Sequence, residues 1–223
     1  MKNIVIGIHG FGADRTEEFN IIKSIASEEN IEFVCFELFG LHDAEPKYQY
    51  WIKKAEDFVN EYLDKGYKVD LIGFSMGGVI ASFLCTYLKI NRLVLISPAF
   101  YFLSSDNLIK LSEKVLMHDT LEHTKQELAH SLPLSYYLEF CRLVKKLKVS
   151  IELVENDLLI IYGTADEFVP KKSVMYAYNN CKSTNKKLVF YHNARHELHV
   201  AGVYKYDVSR QVLSYLKMSY IEN

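Results

Sequence analysis

Gly73-Phe74-Ser75-Met76-Gly77-Gly78 lies between two segments of different character. Before it runs the apolar stretch Val69 to Ile72. After it, Val79 to Leu88 has the composition of a helix. The pattern predicts a strand, a sharp turn and a helix, with one serine at the apex. Small residues suit such a turn because strand and helix backbones approach closely there. The turn would hold the serine hydroxyl out at the end of a sheet, as in a Gly-x-Ser-x-Gly nucleophile elbow. It would also put the Met76 amide at a helix N-terminus, where N–H groups lack intrahelical acceptors and favour negative charge. Five residues alone would equally suit a glycine-rich turn with an incidental serine, so the surrounding chain must decide.

Upstream, the short apolar run Lys2 to Ile8 ends in His9-Gly10-Phe11-Gly12. An acyl-transfer site needs two backbone N–H groups for the developing oxyanion. One comes from the residue after the nucleophile and one from a loop after an earlier strand, often opening with His-Gly. Met76 and Phe11 are the candidates for these two donors. An ordinary strand-to-helix turn is the competing reading of the His9–Gly12 segment.

With these two segments in order, the chain resembles the alpha/beta-hydrolase family over nearly its whole length. The histidine-loop sequence Ala194-Arg195-His196-Glu197 is similar to that of the lysophospholipase and monoacylglycerol-lipase branch. The family order is nucleophile, acid, histidine. On that resemblance Asp166, in Gly163-Thr164-Ala165-Asp166 after the apolar run Leu158 to Tyr162, is the triad acid. His196, after Lys187 to Tyr191, is the general base. The neighbouring rivals are Glu167 and Asp157 for the acid, and His192 and His199 for the base. The roles suit the residue types. A serine hydroxyl needs an adjacent base, and imidazole exchanges protons near neutrality. A carboxylate on the other ring nitrogen fixes the tautomer and stabilises the imidazolium.

The rest of the chain alternates strand-like and helix-like segments. Strands are expected at Lys2 to Ile8, Ile31 to Glu37, Lys68 to Phe74, Arg92 to Ile96, Leu158 to Tyr162 and Lys187 to Tyr191. Helices are expected at Phe19 to Ala26, with Asp14 or Thr16 as its cap, at Tyr48 to Leu63, and at Val203 to Leu216. The expected fold class is therefore α/β. It is an alpha/beta-hydrolase fold with a mostly parallel sheet of about six strands, helices on both faces and a helical cap insertion. Residues 1–97 and 156–223 would form the core. Residues 98–155 break the alternation, with helical patterns at Leu108 to Met117, Leu121 to Ala129 and Leu134 to Leu147, and would form the cap. Leu134, Tyr137, Leu138, Cys141 and Val144 recur there at the helical period. Phe100, Tyr101 and Tyr137 are the candidate substrate-binding aromatics of an apolar pocket.

Composition bounds the remaining possibilities. The 223 residues are 49% hydrophobic and 24% charged, enough for one sizeable core. A formal net charge of −2 gives no case for nucleic acid. The basic group Arg142, Lys145, Lys146 and Lys148 is interleaved with Leu143, Val144 and Leu147, as on a solvated helix face. Cysteines at 35, 85, 141 and 181 show no metal-ligand spacing. No apolar run reaches the length of a membrane span or a signal-peptide core. The expectation is a cytoplasmic serine esterase with no metal or organic cofactor and a small-molecule ester substrate. That substrate would be of short or medium acyl length, with monoacylglycerol and lysophospholipid among the candidates. Three alternatives stay open. One is another acyl-transfer enzyme on the same site, a thioesterase or an aminopeptidase, the latter using Glu113, Glu122 or Glu139 for a substrate amine. The second is a non-catalytic small-molecule receptor of the same fold. The third is a hydrolase-fold enzyme of another chemistry, such as epoxide or haloalkane opening, which normally uses an aspartate where this chain has Ser75. The sequence leaves the oligomeric state undetermined.

Overall fold

The computed structural model describes residues 2–12, 15–40, 46–102 and 133–221. Its elements are β1 (Asn3–Ile8), α1 (Asn20–Glu28), β2 (Phe33–Cys35), α2 (Tyr48–Asp64), β3 (Lys68–Phe74), α3 (Met76–Leu84), β4 (Ile90–Ile96), α4 (Leu134–Leu147), β5 (Asp157–Gly163), α5 (Lys171–Asn180), β6 (Lys186–Tyr191) and α6 (Lys205–Ile221). The six strands form one sheet in the order β2-β1-β3-β4-β5-β6, and all five pairings are parallel. This is the expected alpha/beta-hydrolase core.

The central strands are largely apolar because both faces of the sheet are covered there, whereas the edge strand β6 opens with Lys186-Lys187 and is only partly buried. Side chains alternate between the two faces. Ile4, Ile6, Ile8, Leu93, Leu95, Leu158 and Ile160 pack with Trp51 and Val59 of α2 and with Val79 and Ile80 of α3. Val5, Val94, Ile96, Leu159 and Ile161 pack on the opposite face with Ile22 of α1 and Val208 and Val212 of α6. Fully burying one aliphatic side chain is worth about 1.5–3 kcal/mol, so this alternation fixes the register strongly.

Several boundaries differ from those the sequence predicts. β2 pairs over only three positions because Glu37 has left the strand to accept the Arg15 and Thr16 amides at 3.1 and 2.9 Å. Thr16 opens a 3₁₀ turn rather than capping α1. The cap position of α1 is Phe19, which makes no side-chain capping bond. Asp14 lies outside the described residues. The helix after the turn starts at Met76, so both glycines are already helical. The helical patterns at Leu108 to Met117 and Leu121 to Ala129 also lie outside the described residues.

α4 has the expected span but a different inner face. Tyr136, Glu139, Phe140, Leu143, Val144 and Leu147 are buried, whereas Leu134 and Leu138 are 67% and 48% exposed. The rotation follows from docking onto the start of α2. Glu139 accepts the Tyr48 amide, and the Tyr136 ring stacks with Trp51. Lys145 and Lys146 stay exposed, as a solvated face requires.

Two glycines are required by close approach. A Cβ on Gly77 would lie 2.0 Å from the Ile8 carbonyl oxygen, and one on Gly163 would lie 2.3 Å from the Ala194 carbonyl oxygen. Both contacts are to backbone, which cannot rotate away. Gly77→Ala should therefore force α3 off β1 and cost about 3 kcal/mol or more. A urea denaturation midpoint equal to wild type would refute that expectation.

Candidate active site

The chain reverses direction across the sheet between β1 and β3. β1 leads outward to β2, and β3 then starts on the other side of β1. In open parallel sheets, ligands bind outside the strand C-terminal ends at such a switch point. His9–Gly12 leaves β1 there, and Ser75 leaves β3 beside it.

Ser75 has φ 51° and ψ −113°, a region non-glycine residues avoid. The conformation is held from both ends. The Ser75 amide donates to the Ile96 carbonyl at 3.0 Å, and the Ser75 carbonyl accepts from Gly78 and Ala99 at 3.1 and 3.0 Å. Serine is a favoured helix cap, yet this hydroxyl makes no capping bond to α3. It is left for other chemistry.

Asp166 and His196 meet from the loops after β5 and β6. His196 Nδ1 lies 2.8 Å from Asp166 Oδ2, with the imidazole largely buried and the carboxylate fully so. A carboxylate can only accept, so the imidazole proton sits on Nδ1 and Nε2 is free to accept. The other Asp166 oxygen accepts the Phe168 and Val169 amides at 2.9 and 2.8 Å. Backbone bonds tie the two loops together. Thr164 N–H donates to the Tyr191 carbonyl and Ala165 N–H to the Ala194 carbonyl, both at 2.9 Å. The imidazole is also packed by the Phe74 ring (4.9 Å between centroids) and edge-on by Phe168 (5.3 Å).

The rival residues are engaged elsewhere. Glu167 accepts the His196 backbone amide at 3.2 Å and pairs with Arg195 at 2.9 Å. Asp157 opens β5 at the far end of the strand and faces Arg92. His192 is exposed. His199 is fully buried against Phe74 and Phe19, and neither ring nitrogen has a hydrogen-bond partner. Burial, with His196 and Arg15 nearby, pushes its pKa down to about 3.

The loop carrying Phe11 is fixed from below. Leu38 N–H donates to His9 Nε2 at 2.8 Å, so the His9 proton is on Nδ1, 2.7 Å from the Gly10 carbonyl. Burial holds the His9 pKa below its ordinary value, which keeps the ring neutral in this role. Gly10 N–H donates to Glu18 Oε2 at 2.9 Å. The Phe11 ring stacks on Phe140 of α4 at 5.1 Å.

Ser75 and His196 line one cavity of ≈ 290 Å³. Its apolar wall includes Phe11, Phe102, Tyr137, Phe140 and Phe168, while Arg15, Glu18 and Glu197 supply charge. Of the aromatics predicted to bind substrate, Tyr137 lines this cavity. Phe100 and Tyr101 do not. Phe100 is 1% exposed within the core, and Tyr101 packs edge-on against Tyr176. Both rings pack against Tyr176 of α5. Glu139 is occupied by the Tyr48 amide and Arg142. Glu113 and Glu122 lie outside the described residues. Sequence reasoning missed the charged group Arg15, Glu18 and Glu197, although Glu197 directly follows His196. Among the described residues no group of three or more His, Cys, Asp or Glu side chains could hold a metal ion, and no helix is long and apolar enough to cross a membrane.

Residues 121–201 match the family model described as serine aminopeptidase, S33. No curated protein sequence matches the chain. Among solved structures, a monoacylglycerol lipase of Paleococcus ferrophilus superimposes with a TM-score of 0.75 at 15% identity, covering 96% of this chain and 93% of that one. A soluble variant of monoglyceride lipase from Saccharomyces cerevisiae, in complex with a substrate analogue, gives 0.73 at 17% identity, covering 98% and 87%. An esterase from Exiguobacterium antarcticum gives 0.72 at 18%, covering 96% and 92%. The chain has the alpha/beta-hydrolase fold, which it shares with these lipases and esterases.

Proposed function

We propose that this protein is a serine hydrolase of carboxylic esters, with Ser75 as nucleophile, His196 as general base and Asp166 as the group orienting His196. The observation that carries the reading is the His196–Asp166 pair, 2.8 Å apart, whose imidazole lines the same cavity as Ser75. In the proposed reaction Ser75 Oγ attacks the ester carbonyl and its proton passes to His196 Nε2. The Phe11 and Met76 amides hold the oxyanion. The tetrahedral intermediate expels the alcohol, which takes the proton from His196. Water, activated by the same imidazole, then hydrolyses the acyl-enzyme.

The substrate we infer is an ester of short or medium acyl length, monoacylglycerols and lysophospholipids included. The aromatic wall suits an acyl chain, and ≈ 290 Å³ lies at the small end of ligand cavities. Residues 98–155 act as a cap in this reading. Phe102, Tyr137 and Phe140 reach the cavity from that segment. The reading also puts the enzyme in the cytoplasm, where free thiols such as Cys35, Cys85, Cys141 and Cys181 persist.

A second reading, an aminopeptidase on the same three residues, is favoured by the S33 description of the matched segment and by Glu18 and Glu197 at the cavity. Turnover of p-nitrophenyl esters, acyl-CoA and aminoacyl amides separates ester, thioester and amide chemistry. Labelling by a fluorophosphonate probe, with the adduct mapped to Ser75, tests the nucleophile. A folded protein that neither labels nor turns over any of the three would overturn the proposal.

Phe11→Pro removes the proposed amide donor. Turnover should fall by about 10²–10³, whereas Phe11→Ala, which keeps the amide, should lose far less. Equal rates for the two variants would remove Phe11 from the oxyanion hole.

A further inference from the structure

Arg15 lies between two loops that are distant in sequence. Its Nε donates to Glu18 Oε1 at 2.5 Å, and its Nη2 donates to Glu197 Oε1 at 2.5 Å, across 182 positions of chain. Each carboxylate belongs to a different half of the site. Glu18 is 5% exposed, and its other oxygen accepts the Gly10 amide, one residue before Phe11. Glu197 directly follows His196. The base of Arg15 is itself fixed, because its own amide and that of Thr16 donate to Glu37, whose carboxylate also lies 3.4 Å from His9 Nε2.

We propose that Arg15 is a positioning residue that sets the spacing between the Phe11 amide and the His196 imidazole by clamping Glu18 to Glu197. The inference rests on the hydrolase reading above. Its physics is that of two like charges with a cation between them. Glu18 and Glu197 repel each other, and burial already disfavours the Glu18 carboxylate. With the guanidinium between them, both accept charge-assisted hydrogen bonds from one planar, rigid fork. Without it, the carboxylates push the two loops apart. The oxyanion donor and the general base then separate, and a misplacement of about 1 Å costs up to about 10²-fold in rate. A lysine ammonium keeps the charge but lacks the fork, so it reaches both carboxylates less well.

The test compares wild type, Arg15→Met, Arg15→Lys and Glu197→Ala. Its readouts are kcat and KM on p-nitrophenyl esters, the rate of fluorophosphonate labelling, and hydrogen exchange by mass spectrometry over 9–12 and 193–199. Arg15→Met is expected to lose about 10- to 100-fold in kcat, with KM within about threefold, as for an interaction that serves the transition state. Labelling should slow in parallel, exchange should rise in both segments, and Arg15→Lys should recover part of each. Glu197→Ala should loosen 193–199 in the same way. If Arg15→Met does not fold, the Arg15→Lys comparison decides, with a reduced kcat and raised exchange expected. Wild-type exchange in both segments together with wild-type kcat overturns the proposal. So does a rise in KM alone, which would make Arg15 a substrate-binding group. Should the wild-type protein turn over no ester, the hydrolase reading fails, and the exchange measurement still decides whether Arg15 holds the loops.

Discussion

Ser75→Ala is expected to lower ester turnover by about 10⁶-fold, to a residual rate set by binding and the oxyanion donors. The substitution removes one oxygen atom. It leaves the backbone bonds of the turn intact, since the Ile96, Gly78 and Ala99 partners all use main-chain atoms of residue 75. Alanine tolerates positive φ about as poorly as serine, and the hydroxyl makes no capping bond that would be lost. Stability should therefore change by well under 1 kcal/mol. The expected result is a protein with a wild-type melting curve, no fluorophosphonate adduct and no measurable hydrolysis. A folded Ser75→Ala protein with substantial turnover would exclude Ser75 as nucleophile and end the hydrolase assignment in this form.

The second large effect is expected from Asp166→Asn, at about 10⁴-fold in kcat. Asn keeps an oxygen to accept the Phe168 and Val169 amides, so the loop after β5 should hold its shape. What changes is the partner of His196. An amide NH₂ in place of Asp166 Oδ2 donates to Nδ1 and drives the ring proton to Nε2. The imidazole then presents an N–H, not a lone pair, to Ser75, and it gains no counter-charge when protonated. Asp166→Ala should lose comparable activity and, in addition, stability of about 1–3 kcal/mol, because two partly buried amides lose their acceptor. The contrast in melting temperature between Asn and Ala, at similar activity, is the measurement. An Asp166→Asn enzyme within tenfold of wild type would assign the orienting role to another group, with Glu167, which accepts the His196 backbone amide, the first to examine.

Much of this architecture is legible locally. Strand positions follow from short apolar runs ended by turn residues, because a strand buried on both faces is apolar at nearly every position. The Ser75 turn is legible because only small residues fit where α3 crosses β1, and the spacing of Gly77 records that contact directly. Asp166 and His196 are expected as acid and base from their loops and their order after Ser75, on a family resemblance, and the sheet brings these two side chains to 2.8 Å. The edge strand β2 was less legible. Its span ends where Glu37 turns to serve the Arg15 loop, a long-range hydrogen bond with no local signature.

Period and composition predict that an aromatic is buried, but not which space it fills. Phe100 and Phe102 differ by two positions, yet one joins the core and the other lines the cavity. The helical period of α4 is plain in the sequence, while its rotation about its own axis was decided by Glu139 finding the Tyr48 amide. The Arg15 clamp is the extreme case. Its partners lie 3 and 182 positions away, and although Glu197 belongs to the histidine-loop motif, nothing around either glutamate points to Arg15. Covalent neighbours and side-chain periodicity act over a few residues and leave their record in the chain. The pairing of a buried charge depends on which loops the sheet brings together, and that is settled only when the strands have taken their order.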